Sequence, residues 1–160
     1  MDQKTRVEVQ IDGAWTEAVI VDAYGRGRGR HYKVRYDRHP DSDAQRLTQE
    51  EDVRYTRVRP IPPEAPHNYN YSIRDAVEAS DKGCWWPGII TQAMSTNSEL
   101  FLVYFPHNHI QKMYHYSKLR PAQEWLKGKW YPLPSQVTYL LYFYYFSGAS
   151  CTFFVIWLLL

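Results

Sequence analysis

The feature that most constrains this chain is that it repeats itself. Sliding the sequence by 70 positions lays Val7-Glu8 on Val77-Glu78, Gly13 on Gly83, Trp15 on Trp85 and Val19-Ile20 on Ile89-Ile90 without a gap. Further on, Tyr32-Lys33-Val34-Arg35-Tyr36 matches Phe101-Leu102-Val103-Tyr104-Phe105, and Tyr55-Thr56-Arg57-Val58-Arg59-Pro60 matches Tyr116-Ser117-Lys118-Leu119-Arg120-Pro121. The offset shrinks between blocks, so the length differences fall in loops. A chain of 160 residues has room for one ordinary core or two very small ones, and the duplication selects the second. Between the copies lies Ile61-Pro62-Pro63-Glu64-Ala65-Pro66, whose prolines fix φ and lack the donor a ladder needs. The expected division is a first repeat over 1–62, a Pro-rich linker over 63–72, a second repeat over 73–131 and an apolar tail over 132–160.

The apolar runs of each copy are short, rich in β-branched and aromatic residues, and broken by Gly, Asp, Asn and Pro, which is the signature of strands. Copy one predicts strands at about 6–11, 15–23, 31–37 and 53–57, and copy two at about 75–80, 85–93, 99–105 and 112–116. Nothing has the period of a long amphipathic helix. A sheet of four or five short strands cannot bury a face alone, but curled into a barrel it closes its edges around a core of alternating residues. The predicted class is all-β, with two tandem barrels.

Composition narrows the partner. The balance of 19 basic against 17 acidic residues gives a formal charge of +2, too even for a general nucleic-acid or membrane-surface binder, so an electrostatic partner must meet a local patch. Cys84 and Cys151 are the only cysteines, and no charged-then-apolar signal segment opens the sequence, so a reducing compartment is expected. Aromatic residues reach 16%, with 14 Tyr and 6 Trp; rings of this kind build interfaces and cation-binding pockets.

Val137–Leu160 carries no charged residue over 24 positions, long enough to span a bilayer as a helix. Against a membrane anchor stand its crowded aromatic rings, the absence of a basic residue after the run, and Gly148-Ala149-Ser150 within it. Translation of a retained intron also fits, because Gln136-Val137-Thr138 can be encoded across an intron start. Both readings stay open.

Copy two contains Ala76-Val77-Glu78-Ala79, Gly83-Cys84-Trp85-Trp86-Pro87-Gly88-Ile89-Ile90, Leu102-Val103-Tyr104-Phe105-Pro106, Leu119-Arg120-Pro121 and Glu124-Trp125-Leu126-Lys127-Gly128-Lys129-Trp130. This ordered set resembles the second repeat of plant agenet-domain proteins. Copy one, with Val7-Glu8-Val9, Gly13-Ala14-Trp15, Tyr32-Lys33-Val34-Arg35-Tyr36 and Val58-Arg59-Pro60, is similar to the first. The resemblance covers about residues 5–131 and implies SH3-like, tudor-like barrels of the Royal superfamily. It also implies a nuclear reader of methylated lysine or arginine, chiefly on histone tails.

A methylated ammonium is bulky, weakly hydrated and cationic, so two to four aromatic faces hold it best. In tudor-like barrels that cage sits at one mouth, at the start of the second strand, the end of the third and the loop beyond. On copy two the resemblance places it at Trp86, Phe105 and Tyr116. Alternation supports part of this, since Trp86, Gly88 and Ile90 share a face, as do Val103 and Phe105. Trp85 points the other way, toward copy one. Copy one has Thr16 where Trp86 stands, leaving Trp15, Tyr36, Tyr55 and Asp37 as a weaker secondary pocket. The structural alternative is that Trp86 and Phe105 fill a small core and that Trp15 and Trp85 are packing residues.

Gly25-Arg26-Gly27-Arg28-Gly29-Arg30 joins two predicted strands. Alternating Gly and Arg makes a mobile cationic loop, so Arg26, Arg28 and Arg30 are candidate contacts to RNA or nucleosomal DNA, or else a solvated turn. No metal is expected: His107, His109, His115 and Cys84 lack metal-ligand spacing. Cys84 has no orienting motif for nucleophilic catalysis, and no phosphate loop or dinucleotide fingerprint is present. The expected function is therefore non-catalytic binding of a methylated histone tail without a cofactor. The rivals are an RNA-binding module using the Arg-Gly loop and a membrane-tethered adaptor anchored by the tail.

Overall fold

The computed structural model describes residues 5–36, 50–66, 69–94 and 99–133, and the tail expected to be either anchor or intron translation lies outside these. Among the described residues there is no α-helix, and no helix is long and apolar enough to cross a membrane. The first repeat consists of β1 (Arg6–Ile11), β2 (Ala14–Tyr24), β3 (His31–Tyr36), β4 (Glu50–Arg54) and β5 (Val58–Pro60). The second consists of β6 (Ala76–Asp81), β7 (Cys84–Ala93), β8 (Leu100–Phe105), β9 (Ile110–His115) and β10 (Leu119–Pro121). A separate hairpin of β11 (Gln123–Leu126) and β12 (Lys129–Pro132) follows.

The repeats fold alike because the duplicated residues carry the same instructions. Asp12 and Gly13 have φ of 47° and 90°, and Lys82 and Gly83 have 51° and 81°. Two successive positive φ values match the twist of a two-residue hairpin, which makes the glycine the natural second residue. Each long second strand pairs with its first strand over one half and its third over the other. The register shifts between Ile20 and Asp22 in β2 and between Ile90 and Gln92 in β7, so a bulge at the same place bends both sheets. A 3₁₀ turn, Tyr55–Arg57 or Tyr116–Lys118, then returns the chain so that β5 pairs with β1 and β10 with β6. The small cores lie inside these curls. One is built on Val7, Val9, Ala18, Val34, Tyr36 and Val53; the other includes Val77, Ile90, Phe101, Val103, Phe105 and Leu119.

Three expectations shift in detail. The fourth strands lie at Glu50–Arg54 and Ile110–His115 rather than 53–57 and 112–116, since the residues that follow turn into 3₁₀ geometry. The short β5 and β10 and the β11–β12 hairpin were not among the predicted strands.

The two barrels are joined into one ten-stranded sheet by antiparallel pairing of β2 with β7, Trp15 opposite Trp85 and Thr16 opposite Cys84. Beside this seam lies a buried charge quartet made from duplicated residues. Glu8 is 0% exposed, Glu78 3% and Arg59 5%. Arg59 reaches Glu8 at 2.8 Å and Glu78 at 2.7 Å, and Arg120 reaches the same two carboxylates at 2.8 and 2.6 Å. The Arg59 guanidinium lies 3.8 Å from the centroid of Trp15, and that of Arg120 lies 4.1 Å from Trp85. Two cations and two anions neutralise each other across the seam, with each guanidinium covered by a tryptophan of its own repeat. One carboxylate oxygen, Glu8 Oε1, lies near Arg120 without a well-aligned hydrogen bond. Burial accordingly pushes the Glu8 carboxyl above its usual range, against the lowering effect of Arg120 and Arg59.

Candidate functional site

At the mouth of the second barrel, against the first, is a recess of about 300 Å³. Alternation along β7 turns Trp86 to the inner face, opposite Ala79 of β6, where it packs on the second core. Phe105, at the end of β8, is a core residue at 2% exposure whose ring also reaches the recess. Tyr114 of β9 meets it edge-on, with centroids 5.7 Å apart. His107, from the β8–β9 turn, stacks on Trp86 at 4.7 Å and 20° and meets Phe105 edge-on at 6.1 Å. The first repeat contributes Ile11, Asp12 and Ala14 from its β1–β2 hairpin.

Charged groups of both signs line the recess, Asp12 and Asp81 with Lys82 and Lys112. Asp81 lines the recess, takes a hydrogen bond from Lys112 Nζ at 3.0 Å and lies 3.5 Å from the Tyr114 hydroxyl. Burial, then Asp81, pushes the Tyr114 phenol up to about 12, so it stays a neutral donor. Burial lowers the His107 pKa below its ordinary value, so at neutral pH the imidazole is an uncharged face. Three aromatic side chains and one imidazole thus line a space at which Asp81 is paired with Lys112, and ring faces of this kind suit a bulky, weakly hydrated cation.

The structure brings Trp86 and Phe105 together and leaves Tyr116 out. Tyr116 sits in the 3₁₀ turn beyond β9, tilted against His115 at 4.5 Å and 46% exposed. Tyr114 is the third ring, and its register partner Phe101 points into the core. Tyr114, His107 and Asp81 were not identified from the sequence as site residues. The usable signal was alternation back along β9 from the end of β8.

Among the described residues, Trp15, Tyr36 and Tyr55 of the secondary set point to different places. Ala14, Thr16 and Ala18 face inward on β2, so Trp15 faces out, under Arg59. Tyr36 is buried on the inner face with its hydroxyl donating to Glu51 at 2.6 Å; burial and then Glu51 raise its pKa. Tyr55 is exposed in a 3₁₀ turn, and Asp37 lies outside the described residues. Thr16 is buried with its hydroxyl 3.3 Å from the Cys84 sulfur, which places Cys84 in the seam. Arg26, Arg28 and Arg30 are exposed around a 3₁₀ turn at Gly27–Gly29.

Residues 4–63 match the family model described as Agenet domain. A curated protein of Arabidopsis thaliana, Protein AGENET DOMAIN (AGD)-CONTAINING P1, is 30% identical over 123 residues, covering 77% of this chain and 23% of that protein. DUF724 domain-containing protein 3 of the same plant is 30% identical over 128 residues, covering 77% of this chain and 18% of its own length. The chain therefore spans less than a quarter of these curated relatives. Among solved structures, the tandem Agenet domain 3-4 of ADCP1 superposes with a TM-score of 0.68 at 22% identity, covering 82% of this chain and 86% of that one. The AGD34 segment of Arabidopsis thaliana AGDP1 gives 0.67 at 23% identity, covering 81% and 88%. With the duplicated barrels, the seam between them and these likenesses in hand, the chain belongs among the plant agenet-domain proteins.

Proposed function

We propose that this chain is a nuclear, non-catalytic reader that takes a methylated lysine of a histone tail into the recess of the second barrel. The observation that carries the reading is the convergence of Trp86, Phe105, Tyr114 and His107 on a recess of about 300 Å³ that also holds Asp81. Methyl groups gain dispersion against the rings while the positive charge is met by ring quadrupoles and the carboxylate. An unmodified lysine ammonium would lose more hydration on entering. The tandem agenet architecture supports the reading, since agenet domains are binding modules.

A few ring contacts and a short peptide are consistent with micromolar affinity, about −8 kcal/mol at 1 μM. The test is calorimetric titration of the full chain with paired histone-tail peptides, methylated and unmethylated at one lysine. Trp86→Ala is expected to cost roughly 1–2 kcal/mol of the methyl-dependent part, with folding checked by circular dichroism, while Thr16→Ala is expected to leave peptide binding nearly unchanged. A folded Trp86→Ala protein that keeps the original preference for methylated peptide removes this recess from consideration.

A further inference from the structure

The β2–β3 connection of the first repeat lines no part of the recess, yet it is built with unusual care. Gly25 and Gly27 have φ of +76° and +56°, and a Cβ at Gly25 would run into the Gly29 carbonyl oxygen. The Gly29 and Arg30 amides donate to the Arg26 and Gly27 carbonyls at 3.1 and 3.2 Å. The glycines therefore close a tight turn that side chains would strain, and the intervening Arg26, Arg28 and Arg30 are all exposed.

Beside the turn, register sets Tyr24 opposite His31 and His31 opposite Arg54, a row across β2, β3 and β4. The Tyr24 and His31 rings are stacked, 5.7 Å apart and 13° from parallel, and Tyr24 is 45% exposed. Asp22 accepts from the Ala23 amide at 2.8 Å. Among the described residues, Arg26, Arg28, Arg30 and Arg54 have no ion pair. The duplication supplies an internal comparison. The equivalent row of the second repeat is Met94, Leu100 and His115, without arginines or a stacked pair.

We infer that this end of the first repeat binds single-stranded nucleic acid, with the arginines on phosphates and an unstacked base on the Tyr24–His31 pair. Guanidiniums on a hydrogen-bonded turn match phosphodiester oxygens, and a flat exposed ring offers a base a stacking face without reading its sequence. A duplex, whose bases are already stacked, uses only the charge. This site is independent of the recess and stands whether or not methylated lysine is the recess ligand.

The test is fluorescence polarisation of the full chain with labelled 12-nucleotide oligouridine, the matching oligothymidine and a 12-base-pair duplex, at 50 and 200 mM salt. Both single strands are expected to bind, and the two arms show whether RNA or DNA is the better source. The triple change Arg26→Gln, Arg28→Gln, Arg30→Gln is expected to weaken binding at least tenfold and to flatten the salt slope by roughly 2, at about 0.7 per phosphate. Tyr24→Leu is expected to weaken single-strand binding at least fivefold with the slope unchanged, and Lys118→Gln, an exposed charge of the second repeat, to change little. Melting curves establish that each variant is folded. The inference is overturned if single strands fail to bind at 50 mM salt, if the duplex binds as well as they do and Tyr24→Leu is silent, or if Lys118→Gln weakens binding as much as a loop arginine change.

Discussion

Replacing Arg59 by Met tests what holds the two repeats together. Arg59 is 5% exposed and touches Glu8, Glu78, the Gln123 carbonyl at 3.1 Å and the face of Trp15. Methionine keeps an apolar stem and removes the guanidinium, leaving two buried carboxylates to share Arg120. Breaking a buried pair from one side costs about 3–5 kcal/mol, a large part of the roughly 5–15 kcal/mol that stabilises a domain. Urea unfolding of the full chain, followed by circular dichroism so that changed tryptophan quenching does not intrude, is expected to show a loss of that size in one transition shared by both repeats. The double change Glu8→Gln with Arg59→Met restores a neutral site and is expected to cost less than the sum of the singles by about 1 kcal/mol or more.

The pH dependence has a definite sign. Burial raises the Glu8 carboxyl above its unfolded value, so its contribution is fully present below the ordinary glutamate pKa and is lost as pH rises through the raised one. Removing Arg59 takes away one of the two cations that oppose this rise. The gap between wild type and Arg59→Met should therefore narrow as pH falls from neutrality toward the carboxylate range. A cost below about 1 kcal/mol, a gap that does not change with pH, strict additivity in the double variant, or two separate transitions of which only one moves would each refute the argument.

His107 is held neutral by burial, so its stabilising contribution is present above the ordinary histidine pKa and lost as pH falls through the lowered one. Its protonation adds a cation to a recess already lined by Asp12, Asp81, Lys82 and Lys112; methyl-peptide affinity should fall on acidification, and His107→Gln should flatten that profile in titrations at several pH values. Gly88→Ala would put a Cβ 2.9 Å from the Tyr104 carbonyl oxygen and against the Val103 side chain, and is expected to destabilise by about 1–3 kcal/mol in a melting experiment. Deleting residues 137–160 should raise solubility and leave peptide affinity unchanged; loss of binding in the same titration would make the tail part of the fold.

What the sequence made legible follows from the duplication. Hairpin glycines, second-strand length and third-strand alternation are local properties, so they could be read in each copy and checked in the other. The fourth strand was harder. Glu50-Glu51-Asp52 has poor strand propensity on its own and is held there by pairing with Arg35, Val34 and Lys33, a tertiary partner overriding local preference. The quartet shows the same limit. Glu8 with Glu78 and Arg59 with Arg120 stood visibly in register in the two copies, but a strand carboxylate reads as solvated until the cation that neutralises it is known. Here one such cation lies 51 positions away and the other 112.

The site was half legible for a related reason. Alternation placed Trp86 and Phe105 correctly on the inner face, but Tyr114 and Tyr116 share a strand face, so period alone does not choose between them. The choice depends on where β9 stops, and it stops at His115. The seam also shows how the first repeat comes to wall this recess. Antiparallel pairing centred on Trp15 and Trp85 sets Thr16 opposite Cys84 on one side, where both are buried and in contact. Continued one step the other way, the register sets Ala14 opposite Trp86, and both line the open space. A duplication alone would make the two sides of the seam alike. Threonine stands against cysteine on one side and alanine against tryptophan on the other, so divergence within an otherwise shared frame sets the Trp86 ring, with Ala14 and Cys84, along the recess.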